Sequence, residues 1–162
     1  MLQAGWLELQ GHPSIAPLAL SSPFRSPPFG MDSANWFVNA AALIRTRLAP
    51  HTLLHLLHTI EARHGRVRNP NDNGCRDRTL DLDLLFYDDL VMDAESLVIP
   101  HPRMEQRLFV LAPLAEIAGD RIHPICGKTI RTLLAELQEK DDKQQVERIL
   151  WEQHPPFFNP KG

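Results

Sequence analysis

From residue 78 to residue 87 the chain reads Arg78, Thr79, Leu80, Asp81, Leu82, Asp83, Leu84, Leu85, Phe86, Tyr87. This alternation constrains the fold more than any other stretch. In an extended chain Leu80, Leu82 and Leu84 point one way, and Asp81 and Asp83 point the other. The spacing predicts a strand anchored by its leucines, with two carboxylates side by side on the opposite face. Two neighbouring acids repel each other unless a cation offsets the charge. Oxygen ligands with no His or Cys beside them favour Mg²⁺ over zinc. Taken alone, two acids in this pattern are most simply the solvated face of an amphipathic strand. Their neighbours argue for more: Arg66, Arg68, Arg76 and Arg78 precede them, and His101 and Arg107 follow.

Guanidinium groups bind phosphate oxygens bidentately, and a loop carrying several can close over a polyphosphate. Paired carboxylates with Mg²⁺ and a ring of arginines are the parts that phosphoryl-type transfer requires, because its catalysis is mostly positioning and charge neutralisation. Any one loop arginine is most simply solvated; four bracketing a pair of acids weaken that reading. Gly127, Lys128 and Thr129 imitate the end of a nucleotide-binding P-loop, but the glycine such a loop needs five residues earlier is Ile122. Thr129 is instead expected to cap a helix starting at Ile130. His123 and Cys126 are expected to be loop residues, not a zinc pair. His55 and His58 read as surface or boundary residues of a helix.

At 162 residues the chain suits one domain, expected over 1–150, with a proline-rich irregular tail over 151–162. A formal net charge of −3 gives no whole-protein case for nucleic acid, which argues against a Mg²⁺ nuclease. No apolar run approaches the roughly 20 residues that span a bilayer, so no membrane partner is expected. Met1 is followed by no basic region and apolar core of a signal peptide. Cys75 and Cys126 have no metal-like spacing, and a reduced, cytoplasmic setting is the simplest expectation.

Along the chain, residues 2–10 read as a helix and Ile15 to Leu20 as a short strand. The prolines of 21–30 predict a stiff loop. Residues 36–46 are a strand candidate whose alanines leave helix open. Pro50 suits the first position of a helix running to about Arg63. After the acidic stretch come a turn at 87–90, short strands at 91–92 and 97–99, and a helical segment from Arg103 to near Gly119 that Pro113 is expected to interrupt. A further amphipathic helix begins at Ile130, and Val146 to Leu150 is a candidate edge strand. Phe29, Phe37 and Phe109 are in isolation most simply core residues, although such rings can also stack on a flat heterocycle.

The motifs Ser26 to Gly30, Phe37 to Asn39, Ile60-Glu61 with Gly65 to Arg68, Arg78 to Asp83, and Pro100-His101 with Arg107 and Phe109 together resemble the hydroxymethyl-dihydropterin pyrophosphokinase family of folate biosynthesis. The resemblance runs from about residue 2 to residue 137. It implies an α+β fold of ferredoxin-like type, with an antiparallel sheet flanked by helices. It implies transfer of diphosphate from ATP to a reduced pterin, with release of AMP and two Mg²⁺ ions held by Asp81 and Asp83. His101 and Arg107 would contact phosphates; Arg66, Arg68 and Arg78 would belong to the closing part of the site, with Arg76 a looser counterpart of a family arginine. Glu61 would lie near the nucleotide. Phe37 and Phe109 would sandwich the pterin, Asn39 would bond its edge, and Ser26, Pro27 and Phe29 would line its pocket. The partners implied are the small-molecule substrates, with a monomer expected and a dimer through a sheet edge as the alternative.

This chain departs from the family pattern in two places. The loop before Arg78 is longer than usual. The family also begins with a strand and a Gly-Ser-Asn-Leu-Gly-type turn, whereas this sequence starts inside the helix that follows. The expectation is that Met1 is an internal start of a longer protein; the alternative is a truncated relative that binds nucleotide or pterin without turnover.

Overall fold

Apolar residues at helical spacing open the chain, with Leu2, Trp6 and Leu9 on one side of α1 (Leu2–Gln10). The computed structural model describes residues 1–27, 36–64 and 80–152. After α1 come β1 (Ile15–Leu20), β2 (Phe24–Ser26), β3 (Phe37–Asn39), β4 (Ala42–Thr46) and α2 (Pro50–Arg63). The second half holds β5 (Met92–Asp93), β6 (Val98–Ile99), a 3-10 turn (Met104–Gln106), α3 (Leu108–Ala118), α4 (Ile130–Lys140) and β7 (Glu147–Arg148). The architecture is mixed α and β, and every strand pair among the described residues is antiparallel.

Among the described residues the strands form three small sheets. β1 pairs with β4, Ile15 opposite Thr46 and Leu20 opposite Ala42, and the register shifts between Pro17 and Ala19. Proline has no N–H to give a ladder, so an interruption beside Pro17 is expected. The middle sheet has the order β3-β2-β7, and the last is the β5–β6 hairpin. The 36–46 candidate is thus strand, divided at Ala40 and Ala41 into β3 and β4. The stiff loop expected over 21–30 contains a strand after all. Pro23 and Pro27 flank β2 without entering it, leaving three residues whose N–H groups can join a ladder.

The largest correction concerns the acidic stretch. Residues 80–87 form no strand ladder. Their alternation survives in burial, with Leu80 buried, Asp81 and Asp83 exposed, and Leu82 and Leu84 half-buried. Side-chain packing and a few bonds from other elements hold the stretch. Leu80 sits in a cluster with Trp6, Leu9, Leu53, Leu57 and Ile60, against which Leu82 and Leu84 also pack. It lies so close to α1 that a Cβ on Gly5 would meet its Cδ2 at 2.8 Å, which accounts for a glycine in mid-helix despite its cost of about 1 kcal/mol relative to alanine. Leu85 and Phe86 turn to a second cluster, built from Met104, Leu108, Leu111, Leu114, Ile130 and Leu133. The Tyr87 hydroxyl donates to the Leu48 carbonyl at 2.6 Å, and the His101 N–H donates to Leu85 O at 2.9 Å. The stretch therefore spans both apolar clusters.

Helix limits follow local chemistry. Pro50 begins α2, and Arg63 and His64 at its end both meet the Glu8 carboxylate of α1, His64 Nε2 at 2.8 Å. The two bonds, Arg63 first, hold the Glu8 carboxyl below its ordinary range. Pro113 lies inside α3 without dividing it, contrary to the expected interruption: a 3-10 turn and Arg107 precede the helix, and Leu108 begins it. Thr129 caps α4, its side chain accepting from Thr132 N–H. Val146 to Leu150 supplies the expected edge strand as β7. His55 and His58 are exposed or nearly so on α2, and Cys126 is exposed in the 121–129 turn.

His123 in that turn is buried, and its Nδ1 accepts from the Ile125 and Cys126 N–H groups at 3.2 and 3.3 Å. The proton of the neutral ring is thereby placed on Nε2. Burial lowers its pKa below the ordinary imidazole value, partly countered by the nearby Glu105. A base whose folded pKa is depressed contributes stability that is complete above the unfolded pKa and declines as pH falls through the folded one. The stability of this protein should therefore fall from about pH 6.5 downward, and His123→Asn, which keeps an acceptor for the two amides, should flatten that part of the curve. Urea unfolding at pH 7.5, 6.5 and 5.5 tests this; equal slopes for the two proteins would rule the linkage out.

Candidate active site

α2, the acidic stretch and the β5–β6 hairpin meet around a cavity of about 320 Å³. α2 contributes Glu61, the stretch contributes Asp81 and Asp83, the turn before β6 contributes Glu95 and Ser96, and His101 closes one side. Leu54, Leu82, Leu84, Leu97 and Val98 give the cavity apolar walls. Of the residues singled out from sequence, Glu61, Asp81, Asp83 and His101 come together here.

Glu61 is only 1% exposed and its Oε1 accepts from Leu82 N–H at 2.7 Å. This bond explains the exposure of the two aspartates. It pins the backbone between Asp81 and Asp83, and with Leu82 packed inward the alternation turns both carboxylates outward. The helix that supplies Glu61 is set by Leu53, Leu57 and Ile60, which are buried on the same side. A buried polar side chain needs a hydrogen-bond partner, and the Leu82 amide gives Glu61 Oε1 one at the edge of the cavity.

His101 Nδ1 lies 2.9 Å from the Pro102 carbonyl. A carbonyl only accepts, so Nδ1 carries the proton and the imidazolium form would present a second N–H at Nε2. His101 and Pro102 also line a larger groove of about 1030 Å³, which runs toward α4 past His123, Lys128 and Gln144. Arg107 lines neither space; its guanidinium lies over the Phe109 ring, 5.9 Å from the centroid.

The remaining sequence candidates form a second group. Ser26 pairs with Phe37 and Phe24 with Asn39 across β2 and β3. Pro27 follows β2, and α3, which carries Phe109, packs against both strands. Phe37 is 45% exposed, which corrects the plain reading of it as a core residue. Arg66, Arg68, Arg76, Arg78 and Phe29 lie outside the described residues. Glu95, Ser96 and the apolar wall at Leu54, Leu97 and Val98 escaped the sequence reading. The only available signal was the two-strand hairpin at 91–99, whose turn carries no motif.

Among the described residues, no group of three or more His, Cys, Asp or Glu side chains could hold a metal ion. Two exposed carboxylates separated by one residue suit a cation that completes its shell with water and substrate oxygens, as Mg²⁺ does. They do not suit zinc, which prefers a closed set of N and S ligands.

The model of the 7,8-dihydro-6-hydroxymethylpterin-pyrophosphokinase family matches residues 1–119 of this chain. The chain belongs to that family. It is similar to a 2-amino-4-hydroxy-6-hydroxymethyldihydropteridine pyrophosphokinase of Methylorubrum extorquens, 41% identical over 149 residues that make up 92% of this chain and 89% of the relative. A protein of the same name from Synechocystis is 43% identical over 138 residues, 80% of this chain and 68% of that one. The folic acid synthesis protein fol1 of Pneumocystis carinii is 39% identical over 129 residues, 80% of this chain but 17% of that much longer protein. Membership in this pyrophosphokinase family covers α1 through α3, and so includes both groups of candidate residues.

The Glu61–Leu82 bond can be tested directly. Glu61→Leu leaves a buried N–H without an acceptor and should cost about 1–3 kcal/mol of stability, while Glu61→Gln, which keeps an amide oxygen, should retain most of it. Urea unfolding of the three proteins measures the difference. Equal loss in both variants would mean that charge, not the bond, is what Glu61 contributes.

Proposed function

We infer that this protein transfers diphosphate from ATP to 6-hydroxymethyl-7,8-dihydropterin, releasing AMP, as a step of folate synthesis. The observation that carries the reading is a family match joined to a cavity where Asp81, Asp83, Glu61 and His101 converge. The products define the bond changes. The hydroxymethyl oxygen gives up its proton to solvent and bonds to the β-phosphorus of ATP, the bond from that phosphorus to the α–β bridging oxygen breaks, and the bridging oxygen leaves with AMP.

In this reading Asp81 and Asp83 hold Mg²⁺, with two ions proposed. Bound there, Mg²⁺ would neutralise phosphate oxygens as charge shifts from the attacked phosphorus to the leaving group. Glu61 holds the backbone between the two aspartates, which keeps both on the same face of the stretch. The apolar wall at Leu54, Leu84, Leu97 and Val98 suits the flat face of the adenine ring, and the acids face the phosphates. His101 contacts a phosphate oxygen through its ring, and Arg107 and the arginines of the 65–79 segment supply positive charge. Phe37 and Phe109 bracket the pterin, Asn39 bonds its polar edge, and Ser26, Pro27 and Phe29 line its pocket. No protein nucleophile is required: positioning and electrostatic stabilisation lower the barrier. A ferredoxin-like arrangement is proposed as the frame, supported by the antiparallel pairing of β1 with β4 and the packing of α1 on both β1 and α2.

AMP release should require ATP, the pterin and Mg²⁺ together. Asp81→Ala and Asp83→Ala should each lower kcat/KM by at least about a hundredfold, the scale of removing one charged contact that matters only in the transition state. Chromatographic quantification of AMP measures this. Binding of both substrates without AMP formation in the unaltered protein would replace the enzymatic reading with a binding module; unchanged rates in both variants would remove the metal assignment.

A further inference from the structure

The family match ends at residue 119, yet the chain returns beyond it to the strand that carries Ser26. β7 pairs with β2, Arg148 opposite Phe24 and Glu147 opposite Arg25, and Ile149 N–H continues the contact to Pro23 O at 2.9 Å. The attachment converges on a buried node at Ser21 and Ser22, which are 0% and 1% exposed. Ser21 N–H donates to Ala41 O, Ala41 N–H donates to Ser21 Oγ, and both distances are 2.8 Å. The two chain segments that run out as β2 and β3 are thus tied together at their base. Ser22 N–H donates to Glu116 Oε1 at 2.6 Å. Glu116 lies seven residues after Phe109 in α3, on the same helix face two turns along. The node therefore sets α3, with its Phe109, against the hairpin that bears Phe37 and Asn39.

Residues from beyond the family match close this node. Arg148 Nε donates to Ser22 Oγ at 3.0 Å and the guanidinium approaches Glu116 at 3.6 Å. Trp151 Nε1–H donates to Ser21 O at 3.1 Å, and its ring packs on the cluster around Trp6 and Leu53. Arg25 joins the two edges of the same sheet, paired with Glu147 of β7 at 2.5 Å and stacked on the Trp36 ring at 5.0 Å.

We propose that Arg148 and Trp151 are positioning residues for the pterin: they brace the Ser21–Ser22 node and so hold the β2–β3 hairpin at a set distance from Phe109. The proposal rests on the reading that this hairpin and Phe109 bind the pterin. ATP is held elsewhere, by α2, the acidic stretch and the β5–β6 hairpin, so the brace acts on one substrate and not on the other. A residue that merely stabilised the fold would lower the unfolding midpoint and leave the ratio of the two KM values unchanged.

Steady-state kinetics on the full chain, with pterin and ATP varied separately, provide the test, alongside thermal unfolding of each variant. Trp151→Phe keeps the ring packing and removes only the donor to Ser21 O. Arg148→Ala removes the second contact, and Arg148→Lys should restore part of it. Trp151→Phe and Arg148→Ala should each raise the pterin KM by about five- to tenfold, the effect of losing one hydrogen bond to a buried group, with the ATP KM unchanged. Asn39→Ala, read in the same assay, separates the two possible failures. If Asn39→Ala raises the pterin KM and the brace variants do not, the brace is overturned and the pterin site stands. If none of the variants raises it, the location of the pterin on the hairpin is overturned and the brace with it. Equal changes in both KM values would reduce Arg148 and Trp151 to a structural role and would also overturn the proposal.

Discussion

The hydrogen bond from the Leu82 amide to the buried Glu61 carboxylate is the interaction on which the site depends. The acidic stretch has no ladder to hold it, so its course is set by what its side chains pack against and by the few groups that reach its backbone. Leucine packing defines which face is inward, but apolar contacts are non-directional and tolerate sliding. A side-chain acceptor with directional geometry removes that freedom at the residue between the two aspartates. The carboxylates on either side of it are thereby turned to the exposed face.

The arrangement requires that α2 hold Glu61 in one place, and the helix is seated to do so. Leu53, Leu57 and Ile60 seat the helix, Pro50 starts it, and Arg63 and His64 at its end fasten it to Glu8 of α1. α1 in turn approaches Leu80 closely through Gly5. Helix, acidic stretch and first helix thus form one closed set of contacts, in which moving any member exposes apolar surface worth about 25 cal/mol for each Å². The second apolar cluster, around α3 and α4, is joined to the first by Leu85 and Phe86. Its task differs: it carries α3, and with it Phe109 and Glu116, against the middle sheet.

The two groups of candidate residues stand on two frameworks. One is α2 with the acidic stretch around the smaller cavity; the other is the small middle sheet with α3 packed on it. His101 lines the cavity of the first, and a few residues on, Arg107 stacks on Phe109 of the second. The segment from Pro100 to Phe109 therefore runs from one group of candidate residues to the other. The middle sheet is small, with three strands of two or three residues, and strands this short hold their register only with help from outside the ladder. Ser21, Ser22, Glu116, Arg148 and Trp151 supply that help.

Much of this was legible in the residues themselves. Pro50, Thr129 and the leucine spacing specified α2 and α4 because capping and helical periodicity are local. The two-residue alternation at 80–84 foretold which side chains would be buried, because extended backbone alternates faces with or without a ladder partner. It could not show that the ladder would be absent, since pairing depends on a neighbour that the stretch does not encode. Proline content predicted a loop where β2 forms, because what matters is where each proline falls relative to the ladder. The motifs around Asp81, His101 and Phe109 carried the family and its chemistry. The role of Glu61 as the anchor of Leu82, the apolar wall from the β5–β6 hairpin and the return of Trp151 to Ser21 were decided only in three dimensions. Each joins residues far apart in sequence, and no local pattern records which distant partner a buried polar group will find.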